Sequence, residues 1–183
     1  MGIDKFVPVS DVSKNYSIDI SAPVEKVYSA LKNCDVHDSP VIRFLFLLRG
    51  LPAFFKSRRI NSEKRRLTIS DITGSGFMLL DEKPNEEIVI GIIGKFWQLT
   101  GNIQHISPEH FVEFEERGFA KAAWNFFLKP EDVNKTLLTT ETRIHCSDES
   151  SRRKFKRYWA VIGPFSGIIR KEMLRIIKRD AEK

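Results

Sequence analysis

Apolar and polar positions alternate with a period of two over Tyr16-Ser17-Ile18-Asp19-Ile20, the pattern of a half-buried strand. Ser21 and Pro23 then supply a helix start, and Val24, Val27, Tyr28 and Leu31 mark one apolar helix face. Asp38-Ser39-Pro40 opens a second helix, apolar nearly all round over residues 41–49 and stopped by Gly50-Leu51-Pro52. Strand patterns follow at 66–73, 77–80, 88–93, 120–128 and 136–145. Turns at Gly74-Ser75-Gly76, Lys83-Pro84-Asn85 and Pro130-Glu131-Asp132 divide them, and Ser107-Pro108 begins a short helix or turn that runs to Phe114. The last pattern is the longest. From Ser147-Asp148 to near Ala181, the apolar residues Phe155, Trp159, Ile162, Ile169, Met173 and Ile176 recur at helical spacing. Such a helix reaches about 50 Å, whereas a folded chain of this size has a radius of gyration of about 16 Å. The helix must cross the whole body of the domain. Gly163-Pro164 predicts a kink in it, which either follows the curvature of a sheet or hinges over the mouth of a cavity.

This order predicts an α+β chain with a loose leader at 1–14 and a single domain over 15–183. It comprises a first strand, two short helices, a series of antiparallel strands and a long carboxy-terminal helix. The plan resembles the helix-grip fold of the START-like (SRPBCC) superfamily, which includes polyketide cyclases/dehydrases, pollen-allergen-type carriers and lipid-transfer domains. The resemblance rests on the first strand running into Ser21-Ala22-Pro23-Val24-Glu25-Lys26-Val27-Tyr28, and on the long final helix. A closer likeness, to bacterial members, lies in Thr139-Thr140-Glu141-Thr142-Arg143, Tyr158-Trp159 and Pro164-Phe165-Ser166-Gly167-Ile168-Ile169-Arg170. It implies a strongly curved antiparallel sheet of about six or seven strands wrapped around the helix, with an apolar cavity between them. The implied partner is a hydrophobic or amphipathic small molecule or a lipid.

Candidate cavity residues follow from residue type and spacing. Trp97, Trp124, Phe126, Phe155, Tyr158, Trp159 and Ile162 offer rings or apolar bulk that could line a cavity as readily as fill a core. Glu141 and Arg143, two apart on a strand, share one face. If that face is the inner one, they pair inside the cavity and orient a polar ligand head. If Leu138, Thr140, Thr142 and Ile144 point inward instead, Glu141, Arg143 and His145 look outward. The residues point first to a binder. The alternative is a cyclase, dehydratase or hydrolase using Glu141, Arg143 or His145 as acid–base groups.

Charge adds a second possibility. The 183-residue chain has a net charge of +6, but its cations cluster. Residues 41–66 hold Arg43, Arg49, Lys56, Arg58, Arg59, Lys64, Arg65 and Arg66 against Glu63 alone, and a further cluster starts at Arg152. Such clustering fits a solvated surface or a face that meets an anionic membrane. The apolar helix at 41–55 could then serve as a lid that touches lipid, or be wedged inside the fold. Nucleic acid is not favoured, because no recognisable module accompanies the charge. Cys34-Asp35-Val36-His37, His105, His110 and His145-Cys146 lack zinc spacing, and no nucleophile elbow or phosphate loop is present, so no metal or cofactor is expected. Two widely separated cysteines without a secretory leader suggest a soluble, cytoplasmic protein, and Phe6 stands where a myristoylation signal wants Ser or Thr. None of these patterns fixes an oligomeric state.

Overall fold

The computed structural model describes residues 2–34, 77–98 and 100–183. The expected second helix, the basic segment at 56–66, the strand at 66–73 and the turn at 74–76 lie outside the described residues.

The described elements are α1 (Ile3–Phe6), β1 (Val12–Ile20), α2 (Val24–Lys32), β2 (Met78–Lys83), β3 (Glu87–Gly94), a 3₁₀ turn (Pro108–His110), β4 (Ala120–Asp132), β5 (Lys135–Cys146) and α3 (Glu149–Ala181). Five strands form one curved antiparallel sheet in the order β1-β5-β4-β3-β2. Bulges between Leu79 and Asp81 and between Pro130 and Asp132 sit on β2 and β4. The second moves the last hairpin turn beyond the expected Pro130-Glu131-Asp132, so that Asp132 pairs with Lys135. Between the pairs Trp124–Thr142 and Phe127–Thr139, side chains join β4 to β5. Asn125 Oδ1 accepts from the Glu141 N–H at 2.8 Å, and Thr140 Oγ1 donates to the Asn125 carbonyl at 2.7 Å.

Alternation along the strands sends residues to two different cores. Ile88, Ile90, Ala120, Trp124, Phe126, Leu138 and Ile144 face α2 and α3 and form the principal core. Val89, Ile93 and Ala123 face the other way and pack with Ile3, Val7, Phe111 and Phe119. This second core explains why every residue of β3 is buried. It also corrects the expected loose leader, because Ile3 and Val7 are both 0% exposed. The docked leader is held by polar contacts as well, with the Gly2 N–H donating to Glu87 Oε2 at 2.6 Å.

The long helix begins where Asp148 caps it, accepting from the Ser151 N–H at 2.9 Å and from the Gly118 N–H at 2.6 Å. These bonds to the Ser151 and Gly118 amides hold the Asp148 carboxyl well below the usual carboxylate range. The helix then runs unbroken through Pro164. Proline has no N–H to offer the Ala160 carbonyl, so one helical bond is missing at midspan. At the opposite edge of the sheet, Glu82 accepts from Tyr28 and from Lys32, the latter at 2.6 Å, tying α2 to β2. Burial first, and then the Glu82 carboxylate, push the Tyr28 hydroxyl up to about 12. Among the described residues, no helix is long and apolar enough to cross a membrane.

Candidate functional site

The two ends of α3 seal against the fold, and its middle does not. Phe155 near the start and Met173, Leu174, Ile176 and Ile177 near the end are buried. Between them only Gly167 is buried, and Tyr158, Trp159, Ile162 and Ile169 are half-buried. Sequence explains the difference. Gly163, Pro164 and Gly167 remove side-chain bulk and one hydrogen bond from the helix centre, while the flanking turns carry a full apolar stripe.

The sheet beneath shows the complementary pattern. Ile88, Ile90, Phe126, Leu138 and Ile144 are at most 2% exposed, whereas Ile92, Ala122, Trp124 and Thr142 retain 7–9%. These four are neighbours in the ladder: Ile92 pairs with Ala122, and Trp124 with Thr142. These four form a contiguous patch of the concave face that is slightly less enclosed than the strand residues around it.

Trp124 occupies the middle strand of this patch. Phe77 meets its ring edge-on at 5.0 Å between centroids. The guanidinium carbon of Arg170, reaching in from α3, lies 4.5 Å from the ring centroid, a cation–π geometry. Trp124 Nε1 is enclosed and has no hydrogen-bond partner among the described residues. At the other end, Trp159 stacks on Phe155 with centroids 5.5 Å apart, and Phe155 also meets Phe96 and Tyr158. Two glycines set this arrangement. A Cβ at Gly163 would stand 2.9 Å from Trp159 Nε1, and one at Gly167 would stand 2.5 Å from Tyr16 Oη.

Trp97, Tyr158 and Trp159 are half-buried and pack against the principal core, to which Trp124 belongs, and Ile162 is half-buried on α3. Phe126 and Phe155 are enclosed, at 0% and 1% exposure, and act as core supporting the wall. Glu141 and Arg143 stand elsewhere, in the outward of the two orientations left open by the sequence and not on the concave face. Arg143 pairs across β4–β5 with Ala123, a member of the second core, so both residues lie on the sheet face away from α3. There Arg143 Nε donates to Glu141 Oε1 at 2.7 Å, and its Nη1 reaches Asp4 at 2.7 Å and the Val7 carbonyl at 3.2 Å. The Glu141 hydrogen bond foremost holds the Arg143 guanidinium even more firmly protonated than usual. The pair clamps the leader. His145 lies on the same outer face, 3.8 Å from Asp11 and 4.0 Å from Glu115. Cys146 points inward, its thiol pushed up to about 12 by burial and then by the Asp11 charge. Among the described residues, no three His, Cys, Asp or Glu side chains converge as metal ligands.

The sequence patterns do not single out Arg170. Arg170 reads as one more cation on a basic helix, and its position beside Ile169 on the inward stripe is the signal that could have separated it from the others.

No protein-family model and no curated protein matches the chain. Solved structures do align over most of its length. A conserved protein from Geobacillus kaustophilus aligns at 14% identity and TM-score 0.44, covering 93% of this chain and 95% of its own. A norcoclaurine synthase point mutant from Thalictrum flavum aligns at 9% identity and TM-score 0.41, covering 94% and 96%. The Zhui aromatase/cyclase from Streptomyces sp. R1128 aligns at 12% identity and TM-score 0.31, covering 93% of each chain. No ligand or reaction is carried over from them.

Proposed function

We propose that this chain is a START-like binding protein that holds a hydrophobic or amphipathic small molecule or lipid between the concave sheet and the middle of α3. The supporting observation is the match between two incompletely closed surfaces: Ile92, Ala122, Trp124 and Thr142 on the sheet, and Tyr158, Trp159, Ile162 and Ile169 on the helix. Apolar and aromatic walls with few polar groups suit such ligands. The acid–base alternative loses its footing in the gap, since Glu141, Arg143 and His145 are on the far face of the sheet. A neutral apolar dye such as Nile red should bind with micromolar affinity, about −8 kcal/mol, and change tryptophan emission. Ala122→Phe, which fills the patch, should weaken it at least tenfold. Absence of dye binding at saturating concentration, or binding indifferent to Ala122→Phe, would reject the reading.

A second reading concerns the outer side of α3. Val161 and Ile168 are 64% and 46% exposed, with Lys154, Lys156 and Arg157 before them and Lys171 and Arg175 after. An apolar ridge between cations fits an anionic lipid surface, where a carrier would load or unload. Binding to phosphatidylserine-containing vesicles should fall as salt rises, because charges are screened beyond about 8 Å at physiological ionic strength. It should weaken in Val161→Gln/Ile168→Gln. Equal binding to neutral vesicles, or none to either, rejects this contact.

A further inference from the structure

The exposed residues along the middle of α3 fall on one line. Arg157, Val161, Pro164, Ile168, Lys171 and Arg175 are all exposed and follow one another at steps of three and four, the spacing of a single helix face. The centre of that line is apolar, with Val161 and Ile168 64% and 46% exposed, and both of its ends are cationic. Arg153 and Arg175 have carboxylate partners in Glu149 and Glu172. Lys154, Lys156 and Arg157 have none among the described residues, so their charge is not neutralised there. An apolar centre between cations complements the interface of an anionic bilayer. The same turns carry the helix side that meets the fold. Trp159 and Ile169 pack against the principal core, and Ile162, between them in sequence, is half-buried. A helix with its side chains is about 10 Å across, so a bilayer that takes in Val161 and Ile168 lies about 10 Å from the proposed binding region. Midspan is also where α3 is held least. Between Phe155 and Met173 only Gly167 is buried, and the Ala160 carbonyl lacks the donor that Pro164 cannot supply. A pull on the ridge acts on this segment while both ends of the helix stay anchored in the core.

We propose that an anionic bilayer controls ligand exchange: it takes up the Val161–Ile168 ridge, draws the middle of α3 away from the sheet and lets the ligand pass directly between lipid and protein. Away from a bilayer the helix stays seated and exchange is slow. This rests on both readings above and adds how the binding region opens. A bilayer can shift that equilibrium only if it favours the opened form, and the ridge supplies the difference. Val161 and Ile168 insert more deeply once the helix is free to leave the sheet. The apolar side chains uncovered by the movement then meet lipid chains rather than water, which removes the penalty that keeps the helix seated in solution.

The test loads the protein with Nile red, mixes it with vesicles and follows tryptophan emission as the dye leaves. With phosphatidylserine-containing vesicles the transfer rate should rise in proportion to vesicle concentration, and exceed that for phosphatidylcholine vesicles about tenfold. Val161→Gln/Ile168→Gln should bring it down to the phosphatidylcholine value without changing Nile red affinity. Pro164→Ala, which returns a donor to the Ala160 carbonyl at an exposed position, should leave vesicle binding intact and slow transfer about threefold. Hydrogen exchange should accelerate over residues 160–168 on the anionic vesicles and stay unchanged over 173–177. If these vesicles bind but the rate is the same for both lipids, or independent of vesicle concentration, the dye leaves through water. The inference then falls, while the carrier and the lipid contact stand. Transfer unaffected by Pro164→Ala, with exchange over 160–168 also unchanged on vesicles, overturns the opening of the helix. If no vesicle binds, the inference falls with the lipid contact; if Nile red does not bind, it falls with the carrier reading.

Discussion

Phe155→Ala is expected to destabilise the fold by about 3–5 kcal/mol, the range for removing a buried aromatic ring. Phe155 is 1% exposed, and its ring is met by Phe96 at 6.2 Å, Tyr158 at 5.9 Å and Trp159 at 5.5 Å. Truncation removes the buried ring and leaves a cavity that three large neighbours cannot collapse into without abandoning one another. A domain whose total stability is about 5–15 kcal/mol would lose a large share of it, with Tm falling on the order of 10 °C. Urea unfolding monitored by far-UV circular dichroism measures this directly. Trp159→Ala, on the half-buried side of the same stack, should cost clearly less stability and weaken dye binding more. Equal losses from the two variants would show that Phe155 does not anchor the start of α3.

Ile3→Ala should cost about 2–5 kcal/mol, a large effect for a residue so near the amino end. Ile3 is fully enclosed on the outer face of the sheet with Val7, Val89 and Phe111. The surrounding polar bonds, Gly2 to Glu87 and Arg143 to Asp4 and the Val7 carbonyl, are positioned only when α1 is docked. The loss should therefore reach β3, whose outer side α1 covers. Hydrogen exchange at Val89 and Ile93 should accelerate along with the fall in Tm. A change below about 0.5 kcal/mol, typical of a surface position, would mean that the segment contributes nothing to the fold.

The sequence made the order of elements legible because β1 and the long helix each carry a clear period and β3 is an uninterrupted apolar run between turn signals. The leader was not legible. Ile3, Phe6 and Val7 have helical spacing over a single turn, too short to stand out, and their burial depends on a sheet face formed by distant residues. The last hairpin was displaced because a bulge at Pro130–Asp132 added residues that pattern alone does not reveal. In β5, threonines suit either face, so hydrophobicity left two orientations open for Glu141 and Arg143. Tertiary cover by α1 gave the polar pair a half-buried outer position that neither orientation anticipated in full. In the proposed binding region, Trp124, Trp159 and Ile162 were visible as large apolar groups. Arg170 was hidden because a cation turned inward looks, in one dimension, like its solvated neighbours.

Gly163 and Gly167 are the positions at which an engineer seeking a more heat-resistant variant would begin, since glycine inside a helix costs about 1 kcal/mol relative to alanine. Both substitutions run into obstacles from within the molecule. At Gly167 the added methyl would meet the Tyr16 hydroxyl at 2.5 Å, and at Gly163 it would meet the Trp159 indole at 2.9 Å. The first forces the helix and the edge strand apart; the second drives a ring out of the place it occupies at the gap. Routine consensus stabilisation is therefore blocked at midspan, and sequence drift there is confined to whatever leaves these two approaches open. Any gain in rigidity must come from the helix ends, where side chains already interlock.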